Sequence, residues 1–146
     1  MTYQQQGLSR RRQDPEAFRA RALSASLTVK DLDASVDWYC HAIGFVVDKT
    51  YERDGVPTSV ALKAGAVRLL LNQDDGAKGD DRSKGIGMSL YLTTVQDIDA
   101  LAERIIAEGW TLSTPPFDMP GGTRGFRVRD PDGFMLSIAN EGAQSS

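Results

Sequence analysis

The sequence has almost no cysteine and histidine, two of the side chains that bind transition metals most tightly. Among its 146 residues it contains one cysteine, Cys40, and one histidine, His41. A single cysteine excludes an intrachain disulfide and a zinc site built from cysteines. Cys40 lies in an apolar stretch, so we expect it to be a packing residue. His41 is expected to lie on the outer surface of a helix and not to act as a ligand or base.

Long hydrophobic runs and an excess of positive charge are also missing. No apolar run approaches the roughly 20 residues that a membrane helix needs, and the first residues lack the apolar core of a signal peptide. The sequence therefore predicts a cytoplasmic protein with no membrane partner. Its formal net charge is -3. This charge argues against nucleic acid as a partner, because a nucleic-acid surface is normally basic.

The composition is typical of a folded globular protein, with 40% hydrophobic and 25% charged residues. Asp14 followed by Pro15 is a typical helix start and predicts a short helix in a polar N-terminal arm. A stretch rich in Asp and Gly near the middle predicts a linker. The predicted divisions are an arm (1–22), a first module (23–73), a linker (74–85), a second module (86–141) and a tail (142–146).

The two modules repeat one order of elements. In each, a strand with alternating apolar residues precedes a helix that begins after an aspartate, Asp31 or Asp97, and ends at a glycine, Gly44 or Gly109. Three shorter strands follow. The aspartates are 66 residues apart (97 minus 31) and the glycines 65 (109 minus 44), which indicates an internal duplication. We predict an α+β fold in which tandem βαβββ modules form a curved, mostly antiparallel sheet around a cleft, with helices on the outer face.

The first strand of each module has a face of hydroxyl side chains, and the last strand of the second module follows the same pattern. Such faces are either ordinary exposed sheet or the lining of a concave, mildly polar pocket. Their occurrence in both modules favours the pocket. The residues are Ser24, Ser26 and Thr28 in the first module, Ser89, Tyr91 and Thr93 in the second, and Met135, Ser137 and Ala139 on the last strand.

Three motifs give the sequence a resemblance to the vicinal oxygen chelate superfamily, which contains glyoxalase I, extradiol dioxygenases and bleomycin-resistance proteins. The resemblance covers residues 23–140 and supports the same fold. The motifs are residues 29–35 with Trp38-Tyr39 and 43–45, residues 96–100, and residues 126–133, which contain Arg-Asp-Pro-Asp-Gly.

Metal-dependent members resemble one another in placing His or Glu on the first and last strands of each module. At the matching positions this sequence has Ser24, Leu69, Ser89 and Ser137. These side chains lack the charge or basicity that holds a divalent metal. We therefore expect no metal, no cofactor and no catalytic residue. The resemblance then implies a small-molecule binder similar to the bleomycin-resistance proteins, which sequester a drug or metabolite.

Two alternatives stay open. One is a metal-dependent lyase or isomerase of the glyoxalase type with a displaced ligand set, for which Glu52 is a candidate. The other is a regulatory module whose pocket is filled by side chains.

The resemblance to binding-only members also implies a homodimer and a small organic ligand that is aromatic or cationic. Flat apolar contacts are expected from Tyr91, Trp110, Phe117 and Met135. Together with Ser24, Ser26, Leu69, Ser89 and Ser137, these residues form the predicted ligand-binding set. Residues 115–122 predict either a lid or a long hairpin connection. Arg127 and Arg129 are expected to face solvent opposite Phe126 and Val128, and not to form an anion site.

Overall fold

The structure, a computed structural model, describes residues 18–79 and 81–141. The expected helix start at Asp14 and the tail 142–146 lie outside the described residues. Residues 18–24 contain neither helix nor strand, so the first strand begins two residues later than the alternation from Leu23 predicts.

The first module follows the predicted order. Asp31 begins the helix as expected, because its side chain accepts a 3.1 Å hydrogen bond from the backbone N–H of Ala34. The helix ends in a π-helical turn at Gly44, whose φ of 110° suits a residue without a Cβ. The elements are β1 (Ala25–Val29), α1 (Leu32–Trp38), the π-helical turn (Tyr39–Ile43), β2 (Val46–Arg53), β3 (Val56–Ala64) and β4 (Val67–Gln73).

The second module repeats this order without the π-helical turn. Asp97 begins its helix by accepting a 3.0 Å hydrogen bond from the N–H of Ala100. The elements are β5 (Ser89–Thr94), α2 (Ile98–Ala107), β6 (Thr114–Asp118), β7 (Arg124–Arg129) and β8 (Met135–Asn140).

Each module builds its own four-stranded sheet, in the orders β1-β4-β3-β2 and β5-β8-β7-β6. The first strand pairs in parallel with the last, and the other pairs are antiparallel. The predicted α+β fold of two repeated βαβββ modules is therefore confirmed. It leaves β1 and β2 at the edges of one sheet and β5 and β6 at the edges of the other.

The helices cover one face of each sheet, and the apolar residues of that face form one core shared by both modules. From the first module it includes Leu27, Leu62 and Leu71, and from the second Phe126 and Leu136. Burying side chains of this size stabilises the fold by about 1.5–3 kcal/mol each. We call the opposite side of each sheet, turned away from the helices, its open face.

The Asp-Pro-Asp-Gly turn between β7 and β8 connects the two modules. Tyr39 donates its phenolic hydrogen to Oδ2 of Asp130, with the two oxygens 2.7 Å apart. The backbone N–H of Lys30 donates to Oδ1 of Asp132 at 2.8 Å, and the Ser35 hydroxyl donates to Oδ2 of Asp132 at 3.3 Å. We call these five residues the clasp. Because every bond runs from the first module to the second, the clasp fixes their relative position.

Burial controls the ionisation of the clasp. It raises the pKa of Asp130, although hydrogen bonds from Tyr39 and from the N–H groups of Phe134 and Asp132 counteract the rise. Burial likewise raises the pKa of Tyr39, and the neighbouring Asp130 carboxylate raises it further. The tyrosine therefore stays a hydrogen-bond donor well above neutral pH.

The segment between β4 and β5 is held at both ends. The ammonium group of Lys84 lies 2.8 Å from Oδ2 of Asp74 and 3.6 Å from Oδ1 of Asp132. The Arg82 guanidinium lies 3.0 Å from the same Asp74 oxygen. These pairs join the predicted linker to the clasp. Within the part of the chain that the structure describes, no helix is long and apolar enough to cross a membrane.

Candidate binding faces of the two sheets

The open face of the second sheet gathers most of the predicted aromatic and hydroxyl residues of that module. Parallel pairing places Ser89 beside Met135 and Tyr91 beside Ser137, and paired residues project to the same side. Tyr91 is 60% exposed, whereas Ser137 is 7% exposed. The face therefore presents an accessible phenol ring beside a hydroxyl that is nearly covered.

Two arginines continue this face onto the next strand. Arg127 pairs with Ser137 and Arg129 with Met135, so both project to the open face. The Arg127 guanidinium lies 5.8 Å from the centre of the Phe117 ring, within cation–π range.

Both arginines lie opposite the buried Phe126 and Val128, as expected from the sequence. Their position on the face of the predicted pocket was not expected. A signal was available, because a tight turn at 130–134 brings Arg129 opposite Met135.

The open face of the first sheet carries a hydrogen-bonded row of small polar groups. The side-chain amide of Asn72 donates to the Ser26 hydroxyl at 2.8 Å, and the Ser59 hydroxyl donates to the Asn72 oxygen at 2.8 Å. Asn72 was not predicted from the sequence. Three successive leucines precede it, and they hide the alternation of polar and apolar residues in this strand. The row makes this face polar across three adjacent strands.

The same sheet has a charged outer part. The Asp48 carboxylate lies 2.8 Å from the Arg68 guanidinium and 3.6 Å from the Lys63 ammonium. The Lys49 ammonium lies 4.9 Å from the centre of the Tyr51 ring. One carboxylate thus offsets part of the positive charge on this face.

Two of the predicted residues lie away from the open faces. Leu69 pairs with Ala25 and is 4% exposed, because its side chain enters the core. Trp110 packs edge-on against the buried Trp38 of α1, with ring centres 5.9 Å apart. Leu69 therefore lies on the core side of its sheet, whereas Trp110, 39% exposed, lies against α1.

A cavity of about 520 Å³ lies between the edge strands β1 and β5. Tyr39, Phe45 and Leu136 contribute to its apolar walls. It brings together five of the nine predicted ligand-binding residues: Ser24, Ser26, Leu69, Ser89 and Tyr91. Of the other four, Phe117, Met135 and Ser137 continue along the open face of the second sheet, and Trp110 lies apart. Whether these residues bind a ligand stays a prediction.

A second cavity, of about 550 Å³, was not predicted from the sequence. It lies where the π-helical turn and the β3–β4 turn approach β5 and α2. Ile43, Leu92, Leu101 and Ile105 are among the apolar residues that line it. From the sequence, these residues are expected to be ordinary core positions. A cavity between packed elements leaves no pattern among neighbouring residues that would predict it.

The sequence profile of the Glyoxalase/Bleomycin resistance protein/Dioxygenase superfamily matches residues 21–138. The chain belongs to this superfamily. The resemblance seen in the sequence motifs is therefore confirmed.

Three relatives illustrate the membership. A probable lactoylglutathione lyase of Vibrio cholerae serotype O1 is 30% identical over 125 residues, which are 81% of this chain and 88% of that protein. A glyoxylase/bleomycin resistance protein/dioxygenase domain from Frankia sp. EAN1pec superposes with a TM-score of 0.69 at 24% identity, covering 88% of this chain and 96% of that one. TioX from Micromonospora sp. ML1 gives 0.68 at 21% identity, covering 83% and 98%. The two structural likenesses show the fold alone.

The residues that the sequence resemblance places at the superfamily's metal positions do not fit a divalent ion. Serine hydroxyls at 24, 89 and 137 are neutral and weakly basic, and Leu69 has no donor atom. Over residues 18–79 and 81–141, no group of three or more His, Cys, Asp or Glu side chains is placed to hold a metal. Asp48, the carboxylate on the open face of the first sheet, is already paired with Arg68 and Lys63.

Proposed function

We propose that the protein binds a small organic molecule on the open faces of its sheets without a metal ion, in the manner of drug- or metabolite-sequestering members of its superfamily. The observation that carries this proposal is Ser137. It lies between Tyr91 and Arg127 on the central part of the open face, at the position where the resemblance implies a metal-binding glutamate. A hydroxyl there supplies a hydrogen bond to a ligand but does not hold a cation.

The relative described as a probable lactoylglutathione lyase favours the second candidate, a metal-dependent lyase with a displaced ligand set. That candidate needs other ligands. Glu52 is exposed on the edge strand β2, and His41, the chain's one histidine, is exposed on the π-helical turn. Neither belongs to the open face of the second sheet, so binding without turnover is the better supported function.

Metal analysis separates the two candidates. The protein is purified without chelator, and its nickel, zinc, manganese and iron are measured by mass spectrometry. We expect far less than one metal per chain, because the donor set is neutral. One tightly held ion per chain would contradict the metal-free site and favour the lyase candidate instead.

Ligand binding is tested by thermal shift against aromatic metabolites and drugs. We expect at least one compound to raise the melting temperature of the wild-type protein. The shift should be lost in Tyr91→Ala and kept in Val95→Ala, since Val95 is 85% exposed just beyond β5. No shift across a broad panel would contradict a binding function.

We further propose that the protein works as a homodimer in the cytoplasm. The strand β2 is an outer edge and is exposed along its whole length, with Val46 and Val47 about half exposed. An exposed edge strand presents unpaired backbone N–H and C=O groups to which a strand of a second chain can pair. A chain with one cysteine also has no need of an oxidising compartment.

Sedimentation equilibrium tests the dimer. We expect two chains per particle for the wild type, a weaker association for the Val46→Lys/Val47→Lys double variant, and no change for Val95→Lys. A wild-type monomer at high concentration would contradict it.

A further inference from the structure

We propose that the ligand of the second sheet is an aromatic carboxylate, with Arg127 and Arg129 as its anion-binding groups. This inference rests on the proposed function and names the ligand class. It replaces the cationic alternative that the resemblance implied.

The first support is charge. The chain carries a formal net charge of -3, yet the open face of the second sheet is positive. Its strand residues, fixed by pairing, include Arg127 and Arg129 and no acidic side chain. A positive face on an acidic protein attracts anions locally and repels cations.

The acids nearest in the fold do not cancel this charge, because another arginine holds them. Asp99 accepts two hydrogen bonds from Arg124, each 2.9 Å long, at the start of α2. Asp118 accepts a third from Arg124 at 3.1 Å. Arg124 alternates with Gly125 and therefore projects to the helix side of β7.

The second support is the order of side chains across the sheet. Tyr91, Ser137 and Arg127 form one row on three adjacent strands, and Ser89, Met135 and Arg129 form the next. Neighbouring strands are about 4.8 Å apart, so each row spans roughly 10 Å. This distance suits a bicyclic aromatic acid whose ring contacts Tyr91 or Met135 while its carboxylate reaches an arginine.

The third support is the way the two guanidinium groups are held. Arg127 lies over the Phe117 ring, and Arg129 donates a 2.9 Å hydrogen bond to the Gly133 carbonyl oxygen. Both contacts limit the motion of the arginine side chains. A guanidinium has five N–H donors, so each arginine keeps further donors for a ligand. A planar carboxylate can accept two parallel hydrogen bonds from one guanidinium, whereas a lysine ammonium lacks this paired geometry.

The first sheet is a weaker anion site. Its Lys63 and Arg68 share the Asp48 carboxylate, whereas the two arginines of the second sheet face no acid on their own strands. We therefore assign the carboxylate to the second sheet.

The test uses three probes with one ring system and different charge, measured by isothermal titration at low salt. They are 1-naphthoate, the neutral 1-naphthylmethanol and the cationic 1-naphthylmethylammonium, with inorganic sulfate as an anion without a ring. We expect 1-naphthoate to bind about 10-fold or more tightly than either other naphthalene probe, since charge-assisted hydrogen bonds are its added interaction. Sulfate should bind more weakly than 1-naphthoate.

Variants then locate the carboxylate. Arg127→Gln and Arg129→Gln should each weaken 1-naphthoate binding by about 10- to 100-fold and leave the alcohol's binding unchanged. Lys78→Gln, in the exposed linker, removes the same charge elsewhere and should change neither. Arg127→Lys should weaken 1-naphthoate binding less than Arg127→Gln, because the charge remains.

The outcomes distinguish this inference from the function on which it rests. Equal or tighter binding of the cationic probe, or unchanged 1-naphthoate binding in both glutamine variants, overturns the aromatic carboxylate and leaves the binding function intact. Sulfate binding as tight as that of 1-naphthoate overturns the aromatic part. If none of the three naphthalene probes binds, both proposals fail for aromatic ligands.

Discussion

The hydroxyl of Tyr39 donates a 2.7 Å hydrogen bond to the carboxylate of Asp130, 91 residues further along the chain, and both side chains are buried. The other carboxylate oxygen of Asp130 accepts two backbone N–H groups of its own turn, at Asp132 and Phe134. Tyr39 therefore satisfies the remaining oxygen of a buried acid, at the contact between the two modules.

We predict that Tyr39→Phe lowers the free energy of unfolding by about 1–3 kcal/mol, because Oδ2 of Asp130 is left buried without its partner. Chemical denaturation measures the change. Tyr51→Phe is the control, since Tyr51 lies partly exposed on β2 and should change the free energy by less than about 0.5 kcal/mol. Equal stability of Tyr39→Phe and the wild type would show that the clasp bond is unimportant.

The same tyrosine should make the protein sensitive to alkali. Its pKa is raised in the folded state, whereas an unfolded tyrosine ionises near pH 10. The unfolded chain therefore loses this proton first, and the stability that Tyr39 contributes is present below about pH 10 and declines above it. Melting temperatures across this range should fall more steeply for the wild type than for Tyr39→Phe. Parallel curves would contradict the prediction.

Acid should weaken the attachment of the linker. The Lys84 ammonium, the Gly76 N–H and the Arg82 guanidinium lower the pKa of Asp74. A carboxyl group with a lowered pKa contributes stability above its unfolded value, near 3.9, and the contribution is lost as the pH falls below that value. Asp74→Asn should flatten the acid side of the melting-temperature profile. An unchanged profile would mean that these ion pairs contribute nothing in solution.

Asp130 acts in the opposite direction, because its pKa is raised by burial. Its contribution declines as the pH rises through the interval between its unfolded and folded values. The Asp74→Asn comparison removes this effect, since both proteins retain Asp130.

Trp110 offers a test of which predicted site residues stabilise the fold and which contact ligand. Its edge-on contact with Trp38 predicts that Trp110→Phe costs about 0.5–1.5 kcal/mol of stability with ligand affinity unchanged. Tyr91→Phe is the comparison on the open face and should change affinity more than stability. A large loss of binding in Trp110→Phe would show instead that Trp110 contacts the ligand.

Local patterns in the sequence predicted most of the fold. Asp31 and Asp97 begin the helices because a short acidic side chain satisfies an N–H of the first turn. The alternation in β5 correctly separates the exposed Tyr91 from the partly buried Leu90 and Leu92. These features depend on residues a few positions apart, so one chain is enough to reveal them.

Which residues share the candidate site depends on the pairing of strands that are distant in the sequence. The sequence alone does not show this pairing. Leu69 was assigned to the ligand positions by the family resemblance. It pairs with Ala25 and its side chain lies on the core side of the sheet, where it lines the cavity between β1 and β5 and not the open face. Arg127 was set aside as a solvent residue, yet pairing with Ser137 places it on the predicted binding face. Both depend on strand register, and a shift of one residue exchanges the two faces of a strand.

The clasp should hold the two modules together even when the connection between them is cut. Each sheet is complete within its own module, and residues 75–79 on the connection between them are exposed. A protease that cuts this connection would leave two fragments still joined by Lys30, Ser35 and Tyr39 on one side and Asp130 and Asp132 on the other. The protein should therefore reassemble from separately produced halves.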